Sequence, residues 1–170
     1  VLIVIFCNAK HTRFYGKGEL SCNLITDICQ DGNGFIWIGT ASGLNKYDGW
    51  TFTHYFHKED DAASLLSNYV QAFLVDSRNR LWIGTNKGLQ YYLPYEDAFR
   101  TISFPNGFQP SIEKIIELHT GEIWIATSGR GMFSIDEETM LANTQEQVNE
   151  ACGTLFLSNI YEDRSQTIWV

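Results

Sequence analysis

Phe35-Ile36-Trp37-Ile38-Gly39-Thr40 is the stretch on which the reading of this chain turns, because it recurs. Arg80-Leu81-Trp82-Ile83-Gly84-Thr85 and Glu122-Ile123-Trp124-Ile125-Ala126-Thr127 repeat it, and Thr167-Ile168-Trp169-Val170 begins it a fourth time. The tryptophans lie 45, 42 and 45 residues apart, and self-similarity at one period marks a repeat architecture. The match extends outward on both sides. Asp31, Asp76 and Asp163 each stand six residues before a tryptophan. Further upstream are Asn23, Asn68 and Asn159, the first two near Ser21 and Ser67. Downstream come Ser42-Gly43-Leu44, Lys87-Gly88-Leu89 and Arg130-Gly131-Met132, then Tyr47, Tyr91 and Ile135.

One period predicts four antiparallel strands. Asn23 to Gln30 is a mostly apolar run that ends at Asp31-Gly32-Asn33-Gly34, a turn cluster of residues that tolerate positive φ. Phe35 to Thr40 is a second strand, Leu44 to Tyr47 a third, and Trp50 to Phe56 an alternating fourth beyond the Asp48-Gly49 turn. Four strands in 40–50 residues is the pattern of a β-propeller blade. Stacked blades bury inner strands on both faces, which fits the unbroken apolar runs Ile36-Trp37-Ile38 and Leu81-Trp82-Ile83. Gly39, Gly84 and Ala126 follow at one phase, where a small side chain lets a neighbouring blade approach. A β-sandwich would lack the fixed period, and a hairpin solenoid is the other repeat architecture to weigh. The expected fold is all-β, a propeller fragment of about 3.5 four-stranded blades. Its expected divisions are a lead-in or closing strand at 10–20, blades at 21–62, 63–107 and 108–152, and a truncated fourth at 153–170. The third unit departs from the pattern: Leu118 takes the Asp position, and polar residues from Asp136 to Glu150 suggest a loop or short helix.

Composition narrows the function. The 170 residues are 44% hydrophobic and 19% charged, which suits a globular chain. Twelve Lys and Arg against twenty Asp and Glu leave a net charge of −8, so clustered contacts to nucleic acid or an anionic membrane are not expected. Val1 to Cys7 is apolar but far too short to span a bilayer. With Cys7 and Ala9 as small residues before a cleavage site, residues 1–9 read as the remnant of an export signal; a buried first strand is the alternative. Cys7, Cys22, Cys29 and Cys152 form no Cys-x-x-Cys pair, although a Cys22–Cys29 disulfide stays open in an oxidising compartment.

The unit from Leu20 through Ser21, Asn23, Asp31, Gly34, the Trp37 motif, Gly43-Leu44 and Tyr47-Asp48-Gly49 resembles the two-component regulator propeller repeat. The resemblance covers nearly all of residues 12–170. It implies a sensor input region of a hybrid two-component sensor histidine kinase of the Bacteroidetes type. In that family two seven-bladed propellers precede an immunoglobulin-like stalk, one membrane span, and kinase and receiver modules. The implied place is therefore the periplasmic side of an inner-membrane protein. The implied partners are a carbohydrate or other small extracellular ligand, the rest of the same sensor chain, and a second copy in a homodimer. Kinase activity would belong to the parent protein and not to this region. The same repeats also precede diguanylate cyclases or DNA-binding regulators, and a glycan-active enzyme or adhesin propeller is a further alternative.

No catalytic constellation, cofactor or metal site is expected. His11, His54, His57 and His119 form no zinc-protease pattern. His54 and His57, three apart, point to opposite faces of an extended strand, and Asp60 and Asp61 follow in a solvated acidic loop, so they do not gather a metal. Trp37, Trp82, Trp124 and Trp169 read as structural, with Asp31, Asp76, Asp163, Gly39 and Gly84. Ligands reach propellers through loops without framework duty. Strand counting puts the second-to-third turns on one face with the connections between blades. The binding candidates are therefore Ser42, Asn86, Lys87 and Arg130, the two cations at equivalent turns suited to an anionic glycan or partner.

Overall fold

The computed structural model describes residues 19–170, together with the backbone of two strands, 3–6 and 12–15. Those two, β1 (Ile3–Phe6) and β2 (Thr12–Tyr15), pair antiparallel. Of the expected signal remnant at 1–9 only Ile3–Phe6 falls within the described residues; Cys7, Ala9 and His11 lie outside them.

Three four-stranded antiparallel sheets follow in strict sequence order. The first holds β3 (Ile25–Gln30), β4 (Ile36–Thr40), β5 (Gly43–Tyr47) and β6 (Phe52–Tyr55). The second holds β7 (Val70–Val75), β8 (Leu81–Thr85), β9 (Gly88–Leu93) and β10 (Ala98–Thr101). The third holds β11 (Ser111–Glu117), β12 (Ile123–Ser128), β13 (Gly131–Asp136) and β14 (Leu141–Thr144). Helix α1 (Glu146–Cys152) leads to a hairpin of β15 (Tyr161–Glu162) and β16 (Ile168–Trp169). The fold is thus three propeller blades and part of a fourth, in an arc that does not close among the described residues. Each first strand carries a register shift at the same phase, around Thr26, Gln71 and Glu113, which gives the inner strands a shared bend.

The blades stack through their first strands, β7 lying between β3 and β11. The small residues expected to permit this do so. A Cβ added to Gly39 would sit 2.9 Å from Val70 Cγ1, and one on Gly84 would sit 2.6 Å from Ile112 Cγ2. Val70, Ile112 and Leu157 hold the same place in successive units, and Leu157 packs in one cluster with Ala126. The motif tryptophan of each full blade faces the following unit. Trp37 packs with Leu65, Val70 and Phe73, and Trp82 with Ile112 and Ile115. The core is therefore divided into layers between blades, which explains why the second strands are apolar on both sides. Cys22, Cys29 and Cys152 are free thiols. Burial chiefly, with Asp27 and Asp31 nearby, pushes the Cys29 thiol up to about 12.

Candidate functional site

One residue at one offset organises three of the four units. Asp31 Oδ2 accepts the Trp37 indole N–H at 2.8 Å, Asp76 Oδ2 that of Trp82 at 2.9 Å, and Asp163 Oδ2 that of Trp169 at 2.8 Å. The other carboxylate oxygen accepts two backbone N–H groups of the turn: Asn33 and Phe35, Arg78 and Arg80, Ser165 and Thr167. The six-residue offset between Asp and Trp is the span of this turn plus the start of the second strand. Burial works to raise the Asp76 carboxyl, but Trp82 and Arg80 hydrogen bonds and the Arg80 charge hold it below the usual range. In the third unit Leu118 offers no acceptor, and Trp124 Nε1 is a buried donor without a partner among the described residues.

The turns also clasp the next blade. Ser77 donates its backbone N–H and hydroxyl to Glu117, at 2.8 and 2.6 Å. His119, one period on, contacts Glu162 in the same way through N and Nδ1, at 2.7 and 2.5 Å. The third-to-fourth-strand turns join in. Arg78 and Arg80 pair with Glu137, and Lys46 donates to the Tyr92 hydroxyl at 3.2 Å while lying over Phe35, Trp37 and Tyr92. Tyr55 and Tyr92 both donate to Asp97 Oδ1. Burial first, then Asp97, pushes the Tyr92 phenol up to about 12. This Lys46–Tyr92–Asp97–Tyr55 bridge was not legible in sequence, since its members lie on four different strands or turns.

The opposite face is built differently. Its turns are closed by a threonine: Thr40, Thr85 and Thr127 hydroxyls donate to the carbonyls of Gly43, Gly88 and Gly131. The lead-in of the following blade docks on two of these turns, through Gly43 N to Asn68 O and Gly131 N to Leu155 O, while Asn86 N donates to Tyr69 O in the lead-in of its own blade. The second-to-third turns and the connections between blades therefore share one face. Asn68, singled out by its repeat position, accepts from His57 N, and His57 Nδ1 contacts the Leu65 carbonyl at 2.6 Å, which fixes the loop between the first two blades. His54 contacts the Glu19 carbonyl, so the two histidines serve separate backbone contacts.

Ser42, Asn86, Lys87 and Arg130 all lie on this face with exposed side chains. Ser42 and Lys87 give their backbone N–H groups to Thr40 and Thr85, leaving their side chains without framework duty. Arg130 stands over the Phe108 ring at 5.0 Å. Among the described residues, ion pairs engage Arg78, Arg80 and His119 and leave Lys87 and Arg130 without a carboxylate. Near Arg130, α1 and the segment after it border an open cleft of about 620 Å³ lined by Val148, Cys152, Phe156 and Ile168.

Residues 19–42 and 64–87 match the family model of the two component regulator propeller, so the chain carries these repeats, as the Trp motif implied. Histidine kinase P4 of Formosa agariphila is 37% identical over 68 residues, covering 37% of this chain and 5% of that protein. Two solved structures share the fold, the extracellular domains of proposed hybrid two component systems from B. thetaiotaomicron. One superposes with a TM-score of 0.75 and 21% identity over 86% of this chain. The other gives 0.76 and 22% over 88%. The chain spans 22% of the length of each. No helix of the described residues is long and apolar enough to cross a membrane.

Proposed function

We propose that this chain is ligand-sensing propeller sequence from the periplasmic region of a hybrid two-component sensor histidine kinase. In this reading it is exported by an N-terminal signal and relays an extracellular carbohydrate signal to a cytoplasmic phosphorelay. The observation that carries the reading is a set of in-phase two-component regulator propeller repeats whose turn face carries side chains free of framework duty. Lys87 and Arg130 are the binding cations, with Asn86 and Ser42 as neutral hydrogen-bonding partners.

The mechanism assigned to the region is recognition with rigid transmission. Blades that interlock at Gly39–Val70 and Gly84–Ile112 move as a unit, because close-packed interfaces transmit strain and do not absorb it. A ligand seated across two turns would favour one packing of this propeller against the second propeller, the immunoglobulin-like stalk and the partner copy. It can shift that equilibrium only by its difference in affinity for the two arrangements.

Isothermal titration calorimetry of the chain with neutral and anionic oligosaccharides, followed by product analysis, tests the proposal. Saturable binding without cleavage is expected, weakened tenfold or more by Lys87→Ala combined with Arg130→Ala. Cleavage would replace the sensor by an enzyme, and absence of binding across the panel would overturn the ligand assignment.

A further inference from the structure

We infer a second binding surface at the rim of the other face, where Trp50 and Tyr95 form stacking platforms for a neutral polysaccharide. Trp50 is 87% exposed and Tyr95 is fully exposed. They are 45 residues apart, the period of the repeat, and each caps a third-to-fourth-strand turn, one on β5–β6 and one on β9–β10. A large ring left in water forgoes the stabilisation that burial would give it, and a turn tip needs no aromatic residue. The third blade has Glu137, Glu138 and Thr139 there.

Both rings are presented from turns closed by hydrogen bonds. Asp48 Oδ1 accepts from Trp50 N and Thr51 N at 2.7 Å, Asp48 Oδ2 accepts from the Thr51 hydroxyl, and Tyr47 donates to the Gly49 carbonyl. The Tyr95 turn ends at Asp97, whose φ of 49° is a conformation uncommon for a non-glycine residue. The Tyr55 and Tyr92 hydroxyls fix Asp97 there. With the backbone under each ring already ordered, only the ring's own rotamers remain to be fixed when a ligand arrives.

The surroundings select the occupant. A protein partner would call for a contiguous apolar patch that loses its water. Here each ring is isolated and flanked by exposed polar groups, Asp48 and Thr51 beside Trp50 and Glu96 beside Tyr95. A sugar ring matches that mixture, placing an apolar C–H face on the aromatic ring while its hydroxyls donate to the neighbouring carboxylates. Those carboxylates repel sulfated or uronic polymers, so the ligand is neutral. Two platforms one repeat apart suit a polymer. This surface does not depend on the turn-face site, and its test separates the two.

Affinity electrophoresis of the chain through gels containing a soluble mixed-linkage β-glucan, an arabinoxylan or an α-mannan reads the binding. Retardation by at least one polymer is expected. Trp50→Ala and Tyr95→Ala should each weaken it tenfold or more without moving the thermal midpoint, and Lys87→Ala with Arg130→Ala should leave it intact. No retardation by any polymer would overturn the inference. So would retardation insensitive to both ring substitutions, or lost only with Lys87 and Arg130, and that last result would still support the turn-face site.

Discussion

The second and third blades build one turn with opposite chemistry. In the second, Asp76 N donates to Arg80 O and Asn79 N to Asp76 O; in the third, Leu118 N donates to Glu122 O and Gly121 N to Leu118 O. The backbone is alike, yet Asp76 receives the Trp82 indole while Leu118 leaves Trp124 Nε1 unpaired and joins an apolar cluster with Met132, Leu157 and Ile160. The same exchange recurs one strand further on. Gln90, buried opposite Ile83, accepts from Leu66 N and donates to Ser64 O, tying down the lead-in of its blade. Phe133, opposite Ile125, packs its lead-in with Phe104 and Phe108. The backbone turn thus needs no carboxylate. The aspartate serves to satisfy a buried donor and to anchor a charge, and a blade can dispense with both when apolar packing takes their place.

The harshest way to break the contrast is to give the second blade the third blade's residue. Asp76→Leu removes the acceptor for Trp82 Nε1 and for two turn N–H groups, and strips Arg80 of one of its two carboxylate partners. Removing one member of a buried charged network costs about 3–5 kcal/mol, and urea denaturation should register it. The pH dependence follows. The Asp76 carboxyl lies below its usual range in the folded state. Its contribution is therefore complete above the unfolded value near ~4 and fades as pH falls through the lower folded value. Stability should decline more steeply in acid for the native chain than for Asp76→Leu. Equal slopes would show that Asp76 is not the titrating anchor.

How much of this was legible in sequence depends on whether an interaction stays within one repeat. The blade pattern, the Trp motif and the Gly39 and Gly84 contacts follow from the period alone, because every unit states the rule again. The Asp–Trp bond was visible as an offset of six without its meaning, since only the folded turn brings the indole back over the carboxylate. The Ser77–Glu117 and His119–Glu162 clasps were hidden because each pairs residues from two units, and no single repeat contains both partners. Ser42, Asn86, Lys87 and Arg130 came from strand counting, which fixes a face but no mutual distance. Trp50 and Tyr95 stand at the same 45-residue offset as the framework, but on exposed turns, where no burial pattern marks them.

The joint between blades offers a milder test. Gly84→Ala places a Cβ against Ile112, whereas the third blade already carries Ala126 at that phase beside Leu157. Overpacking of this kind costs about 1–3 kcal/mol. Removing the opposing Cγ2 in Gly84→Ala/Ile112→Ala should leave the double variant less destabilised than the sum of the two single ones, an interaction that a double-mutant cycle isolates. Strict additivity would mean that the two side chains do not meet across the joint.

The smallest effect sharpens the contrast from the other side. Leu118→Asp restores to the third blade the acceptor its neighbours possess. By analogy with Asp31 and Asp76, the new carboxylate would take the Trp124 indole and the N–H groups of Thr120 and Glu122. Glu122 N donates to the Thr120 hydroxyl at a long 3.4 Å. Three charge-assisted bonds and the relief of an unpaired donor oppose the loss of a buried leucine, terms of about 2–4 kcal/mol each. Because the turn is already shaped for the carboxylate, a net gain of about 1 kcal/mol is expected at neutral pH. It should disappear in acid as the new carboxyl takes up its proton. Thermal denaturation at pH 7 and pH 3 reads both statements. A variant that is less stable at pH 7 would mean that the apolar cluster around Leu118 is worth more than the missing bond. The third blade's departure would then be an alternative solution of the same turn and not a defect in it.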